Sequence, residues 1–216
     1  MTTVGILGGT GPAGRGVAIR LASAGHEVVL GSRDAQRAVD SARDLHPRGD
    51  GSVRGAANEE AATCEVVIVA TPFDSAVATV RALRAQLADT VVISMVNALA
   101  REGKEMVPLY PARGSMAAQL AFALPESTVV GAFHHLPADQ MLDLDSAIDA
   151  DVVVFGDDDG ARQQVATLID SVAGLRAVIV GSMSLAGAVE AFTAVCASIN
   201  IRHKAHSYLK LAGLVE

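Results

Sequence analysis

Aromatic side chains are scarce in this chain of 216 residues: there is no tryptophan, with two tyrosines and five phenylalanines. Twenty glycines and many alanines accompany that scarcity, a composition that fits helices packed closely on a sheet. Cysteine is nearly absent. Cys64 and Cys196 lie far apart in apolar surroundings, without Cys-x-x-Cys or metal-ligand spacing. They exclude a disulfide framework and are expected to be reduced core residues of a cytoplasmic protein. Basic residues are outnumbered, 17 Lys and Arg against 24 Asp and Glu, for a net charge of −7. That balance argues against a nucleic-acid partner. No apolar run approaches the roughly 18 uncharged residues of a membrane span, so none is expected. The N-terminus carries no basic segment and no cleavage site, so no secretory signal is expected either.

Several catalytic constellations are missing. There is no G-x-S-x-G elbow and no G-x-x-x-x-G-K phosphate loop, and neither Tyr110 nor Tyr208 has a lysine four residues on. An oxidoreductase acting on an alcohol normally needs an acid/base for the hydroxyl proton. A chain without one suits a hydride acceptor that needs little help, such as a flavin-like ring.

What is present begins at Val4–Leu7, an apolar strand followed by Gly8-Gly9-Thr10-Gly11-Pro12-Ala13-Gly14. Gly9, Gly11 and Gly14 have the G-x-G-x-x-G spacing of a dinucleotide-binding βαβ unit. The first glycine makes the turn, the second lets backbone approach a pyrophosphate, and the third lets helix pack on strand. The following helix start offers free N–H groups and a positive dipole end to phosphates. The second strand then selects the dinucleotide. An NAD site places a carboxylate at its end for the ribose 2′-OH. Here stand Gly31, Ser32 and Arg33, with Arg37 four residues on. A hydroxyl and guanidinium groups bind a 2′-phosphate, so the expected cofactor is NADP. Asp34 reads as the N-cap of the next helix.

Strands are predicted at Val4–Leu7, Glu27–Leu30, Val66–Ala70, Val91–Met95, Val129–Phe133, Val152–Phe155 and Ala177–Val180. Helices are predicted at Ala13–Ala24, Ala35–Leu45, Ser75–Leu87, Met116–Ala123, Ala161–Ser171 and Ser184–Asn200, the last running on towards His203. This alternation means a Rossmann-type α/β fold: a doubly wound, mostly parallel sheet with a small C-terminal α/β part. Half the residues are apolar, enough for one sizeable core. A soft boundary near residue 125 separates a dinucleotide-binding part, 1–125, from a C-terminal part, 126–216. The polar, glycine-rich Gly49–Asn58 reads as a surface connection.

Ligands bind beyond the carboxyl ends of such strands. At one tip, Thr71, Pro72 and Phe73 form either an apolar shelf under a nicotinamide or an ordinary turn, with Asp74 or Ser75 as helix cap. At the next, Asn97 binds a carboxamide or closes a turn. The third carries His134-His135-Leu136-Pro137. Two histidines at a ligand-facing tip are candidates for proton or hydrogen-bond work, His134 above all. Gly156-Asp157-Asp158-Asp159 reads as helix capping more readily than as a cation site. After a long helix with a broad apolar stripe comes Asn200-Ile201-Arg202-His203-Lys204-Ala205-His206. It is either a solvated helix end or an electropositive patch for an anionic ligand tail. The stripe suggests a homodimer interface.

With these residues in hand, the chain resembles the NADPH-dependent coenzyme F420 reductases, nearly end to end. The resemblance is carried by Gly8–Gly14, by Gly25–Arg33 and by Thr71-Pro72-Phe73. It continues through Val96-Asn97, Gly114–Ala118, Ala132–His135, Gly156–Asp158 and Asn200-x-Arg202-x-Lys204-x-His206. It implies hydride transfer between NADPH and the deazaflavin coenzyme F420, bound in one cleft of a homodimeric enzyme. Thr10, Ser32, Arg33 and Arg37 would hold the adenosine-phosphate half of NADP, and His134, Leu136 and Pro137 would lie against the deazaflavin. Two other readings stay open: an NADP-dependent reductase of a flavin, metal chelate or imine, and a non-catalytic NADP-sensing module.

Overall fold

The computed structural model describes residues 1–214. Its centre is a sheet of eight strands, the inner ones buried and apolar on both faces and the two edge strands partly exposed. These are β1 (Thr3–Leu7), β2 (Glu27–Ser32), β3 (Ser52–Ala57), β4 (Val66–Val69), β5 (Val91–Ser94), β8 (Thr128–Gly131), β9 (Ala150–Gly156) and β10 (Leu175–Gly181). Their order is β10-β9-β8-β5-β4-β1-β2-β3. Successive side chains alternate between faces. Ile6, Leu30 and Ile68 join one core cluster, while Leu7, Val29 and Val67 join another. Helices must therefore cover both sides. They are α1 (Pro12–Ser23), α2 (Ala35–Arg43), α3 (Asn58–Ala61), α4 (Phe73–Ala82), α5 (Met116–Ala123), α6 (Ala138–Leu142), α7 (Asp159–Asp170) and α8 (Ala186–His203).

The strand order reverses beside β1, with β2 on one side and β4 on the other, both parallel to it. That switch point opens a crevice at the carboxyl edge, where the glycine turn lies. The sheet continues without a break past residue 125, since β8 pairs in parallel with β5. β9 then runs antiparallel to β8, and β10 follows β9. Only Phe155 and Gly156 of β9 pair with β8. The rest of that strand projects beyond the carboxyl edge of the sheet as a wall beside the third tip.

Three features depart from the sequence expectations. Gly49–Asn58 is not merely a connection: Ser52–Ala57 pairs with β2 as the edge strand β3. A small antiparallel hairpin, β6 (Leu99–Glu102) and β7 (Glu105–Pro108), leaves the β5 tip and packs along α8. Third, the helical stretch Met183–His203, with a mean hydropathy of 1.4, is long and apolar enough to cross a membrane by length and composition. The expectation that no run reaches 18 uncharged residues stands, but an interrupted stretch of that length is present and was not singled out. Glu190 and Arg202 punctuate it. In the fold, however, Glu190 accepts backbone N–H groups of α5, and Ser198 bonds both N–H and C=O of Met106.

The capping expectations hold for the starts of α2 and α7 and fail for that of α4. The Asp34 carboxylate accepts from the N–H groups of Gln36 and Arg37, and Asp158 accepts from Ala161. Neither Asp74 nor Ser75 caps α4: Pro72 is its N-cap residue, and the Ser75 hydroxyl donates to the Pro72 carbonyl. Among the described residues no group of His, Cys, Asp and Glu is arranged to hold a metal.

Candidate functional site: the glycine turn and the third strand tip

The turn after β1 has the geometry that the glycine spacing requires. Gly8 adopts φ +67° in the left-handed region, and a Cβ there would stand 2.6 Å from Thr71 Cγ2. The Gly9 N–H donates to the Ile6 and Gly31 carbonyls at 3.1 and 2.9 Å, which ties the turn to the tip of β2. A Cβ on Gly14 would lie 2.8 Å from Gly9 Cα, so α1 sits as close to the turn as backbone allows. Gly11 is different. It is the N-cap of α1 and makes no side-chain cap bond, and a Cβ there would meet nothing within 4 Å. Pro12 has no N–H, and the first-turn N–H groups of Ala13 and Gly14 have no intrahelical acceptor. An open backbone face with orphan donors at a helix start is a fitting seat for a pyrophosphate.

These residues open on a cavity of about 550 Å³. Thr10, Gly11, Pro12, Ala13 and Gly14 form one wall, and Ser32, Arg33 and Arg37 another. Thr71, Pro72, Phe73 and Asn97 line the end towards β4 and β5. Gly9 is buried and does not line the space. Arg33 precedes the helix, with Asp34 as N-cap, so the two arginines do not share a helix face; they converge on the cavity from both sides of the cap. Both side chains are exposed and free to receive a dianion. The Thr71 hydroxyl oxygen is buried without a partner among the described residues, an unused polar atom at the edge of this space. The sequence reading missed Asn58, Met95 and Val96, which also line the cavity. Met95 and Val96 sit in the strand-end stretch already singled out. Nothing local flagged Asn58.

The third tip is built around Asn97. Its Nδ2 donates to the His134 carbonyl at 3.1 Å, while its Oδ1 lies 3.1 Å from His134 Nδ1 and accepts from the Thr193 hydroxyl at 3.1 Å. Its carboxamide oxygen is thus committed to the protein, and the residue latches the β8 tip and α8 to the cavity wall. Since Oδ1 only accepts, His134 carries its proton on Nδ1. The remaining nitrogen, Nε2, is buried with no partner among the described residues. Burial, reinforced by the neighbouring His135, pushes the His134 pKa down to about 3. The ring is therefore neutral at neutral pH, with Nδ1–H held at Asn97 and the Nε2 lone pair unpartnered among the described residues.

A left-handed Phe133, φ +66°, turns the chain so that His134 stacks on Phe155, with ring centroids 5.5 Å apart and 13° between planes. His135 donates Nε2–H to the Val189 carbonyl at 2.8 Å and meets the edge of Phe192. His134, His135, Leu136 and Pro137 are brought together beside Asn97, but none lines the glycine-turn cavity itself. The late basic residues lie apart from it too. Arg202 pairs with Glu105 at 3.1 Å, and Arg202 and Lys204 share a separate concavity with Arg101 and Lys104 of the hairpin.

Fold and site together define a dinucleotide-binding oxidoreductase of the doubly wound class. The chain belongs to the family of F420-dependent NADP reductases. A family model described as "NADP oxidoreductase coenzyme F420-dependent" matches residues 3–98. Over 209 residues the chain is 33% identical to the F420-dependent NADP reductase of Methanocaldococcus jannaschii, covering 93% of each protein. It is 32% identical over 211 residues to that of Methanothermobacter thermautotrophicus, covering 93% of this chain and 90% of the relative. A crystal structure from Arthrobacter sp. FB24 superposes with a TM-score of 0.82 at 26% identity, over 98% of this chain and 99% of the other.

Proposed function

We propose that this protein transfers a hydride between NADPH and coenzyme F420. One observation carries the reading: the end-to-end match to F420-dependent NADP reductases coincides with a cavity that combines an open glycine turn with Ser32, Arg33 and Arg37. In this reading the Ala13 and Gly14 N–H groups and the α1 dipole hold the pyrophosphate. Ser32, Arg33 and Arg37 hold the 2′-phosphate. Thr71, Pro72, Phe73 and Val96 wall the nicotinamide end. His134, Leu136 and Pro137 form the deazaflavin side, with Asn97 fixing the junction.

When bound together, the two ring systems supply the redox chemistry by direct hydride transfer. The chain's own contribution is to seat two rings in one cleft and exclude water, which is catalysis by proximity and orientation. Reduction of F420 by NADPH takes up one proton, so lower pH favours that direction and higher pH the reverse.

Residues 1–125 form the NADP part in this reading, and residues 126–216 complete the deazaflavin cleft. The outer face of α8 exposes Phe192, Val195 and Ile199, at 43, 47 and 41%, beside an apolar groove against β7. That face is read as a homodimer interface of a cytoplasmic enzyme whose partners are small cofactors, neither nucleic acid nor membrane.

Mixing the purified protein with NADPH and oxidised F420, while following the deazaflavin's visible absorbance, tests the function. Rapid bleaching with NADPH and far slower bleaching with NADH is the expected result. Tight NADPH binding without bleaching would overturn it in favour of another acceptor or a sensing role.

A further inference from the structure

Asn58 opens α3 and lies 50 residues from the glycine turn in sequence, yet its side chain reaches over the tip of β2 to touch that turn. The residue is 5% exposed. Its Oδ1 accepts the Gly8 N–H at 3.2 Å, and a Cβ on Gly31 would fall 2.7 Å from the same oxygen. Because the Gly8 N–H can only donate, the orientation of the amide is fixed: oxygen towards the turn, nitrogen away from it. The two Nδ2 hydrogens have no acceptor among the described residues. Asn58 lines the dinucleotide cavity, so that nitrogen is a donor placed where a ligand arrives.

The position gives the donor a meaning. The tip of β2 is where an NAD site presents a carboxylate, an acceptor for the ribose 2′-OH. Here Gly31 has no side chain, and the group that covers the tip comes from the neighbouring strand end. It is a carboxamide whose acceptor is already engaged. What it offers a ligand is hydrogen alone, which matches the oxygens of a phosphate and leaves a 2′-hydroxyl with no acceptor for its own proton.

We propose that Asn58 is a specificity-determining residue for the 2′-phosphate of NADP, holding the glycine turn with its oxygen and donating to the phosphate with its nitrogen. The proposal rests on the NADP reading of Ser32, Arg33 and Arg37. Asn58→Asp tests it. The variant keeps an oxygen for the Gly8 N–H and replaces the donor with a charged acceptor.

Dissociation constants for NADPH and NADH, measured by nucleotide fluorescence without any deazaflavin, are the readout. The NADPH constant is expected to rise at least tenfold while the NADH constant stays level or falls. An equal loss for both would mean that Asn58 only holds the turn, and no loss for either would remove it from the site; both results overturn the proposal. Asn58→Ala gives a second reading, because a damaged turn cancels in the ratio of the two constants. That ratio is expected to shift at least fivefold against NADPH, and an unchanged ratio overturns the proposal. A wild-type protein that binds both nucleotides equally would overturn the NADP reading beneath it. Failure to bleach F420 would leave this result standing, since the acceptor takes no part in the measurement.

Discussion

The Glu190 carboxylate on α8 receives the backbone N–H groups of Met116 and Ala117 at 2.7 and 2.9 Å, closing the start of α5 from 74 and 73 residues away. Burial nevertheless outweighs those two bonds and pushes its pKa from 4.5 up to about 7. A carboxyl raised in the fold binds its proton more tightly there than in the unfolded chain. Its contribution to stability is therefore complete below pH 4.5 and is lost as pH rises through 7. The loss reaches up to roughly 3 kcal/mol. Urea unfolding at pH 5 and pH 8 should show it, and Glu190→Gln should flatten that part of the profile. An unchanged slope in the variant would show that Glu190 is not its source.

His134 acts with the opposite sign. Its pKa, lowered to about 3, favours the neutral ring in the fold, so stability is present above the ordinary histidine value of 6.5 and falls as pH drops below it. His134→Ala should reduce turnover with F420 far more than it weakens NADPH binding. The kcat profile of the wild type should carry no step from this ring between pH 5 and 8. Such a step, abolished in His134→Ala, would restore His134 as a proton carrier.

Arg33→Ala should weaken NADPH binding by roughly 1.5–3 kcal/mol, the worth of a charge-assisted hydrogen bond, and leave NADH almost unchanged. Titration calorimetry with both nucleotides checks it. Equal losses would place Arg33 outside the 2′-phosphate site.

Arg20 is a purely architectural case. Its guanidinium donates to the carbonyls of Met141, Gln140, Asp143 and Ser146 at 2.7–3.1 Å, fastening the α6 loop onto α1. Arg20→Met keeps the apolar stem and strands the carbonyls. It should destabilise the protein by roughly 2–4 kcal/mol while sparing nucleotide affinity. A thermal melt within a degree of the wild type would contradict this.

Gly131→Ala should be costly for a different reason. A Cβ at this position would fall 1.9 Å from Phe155 Cζ, well inside the ring. Overpacking of this kind costs roughly 1–3 kcal/mol. Trimming the ring in Gly131→Ala/Phe155→Leu should recover part of the stability but not the turnover, because His134 loses the surface it stacks on. Full activity in the double variant would show that the stacking is dispensable.

Much of the fold was legible in the sequence because its signals are local. The strands Val4–Leu7 and Val66–Ala70 are continuous apolar runs, and Asp34 and Asp158 announce helix starts within three residues. Two walls of the cavity were legible for the same reason: the glycine turn and Ser32-Arg33 are contiguous segments. β3 was not, because Ser-Val-Arg-Gly-Ala-Ala has neither strict alternation nor an apolar run; pairing with β2 makes it a strand. Asn58 was illegible because its importance is a contact with Gly8 across 50 residues. The enclosure of His134 was not legible, because two histidines in sequence do not reveal that Asn97, Phe155 and α8 surround them.

The crowding of Gly131 by Phe155 also sets a rule of inheritance. The two positions are partners across the one antiparallel seam of the sheet, and they cannot drift independently. A lineage that retains a ring at 155 must retain bare backbone at 131. One that acquires a side chain at 131 must first shrink its partner, and with it lose the platform beneath His134. Among relatives of this chain, the pair should therefore change together or not at all.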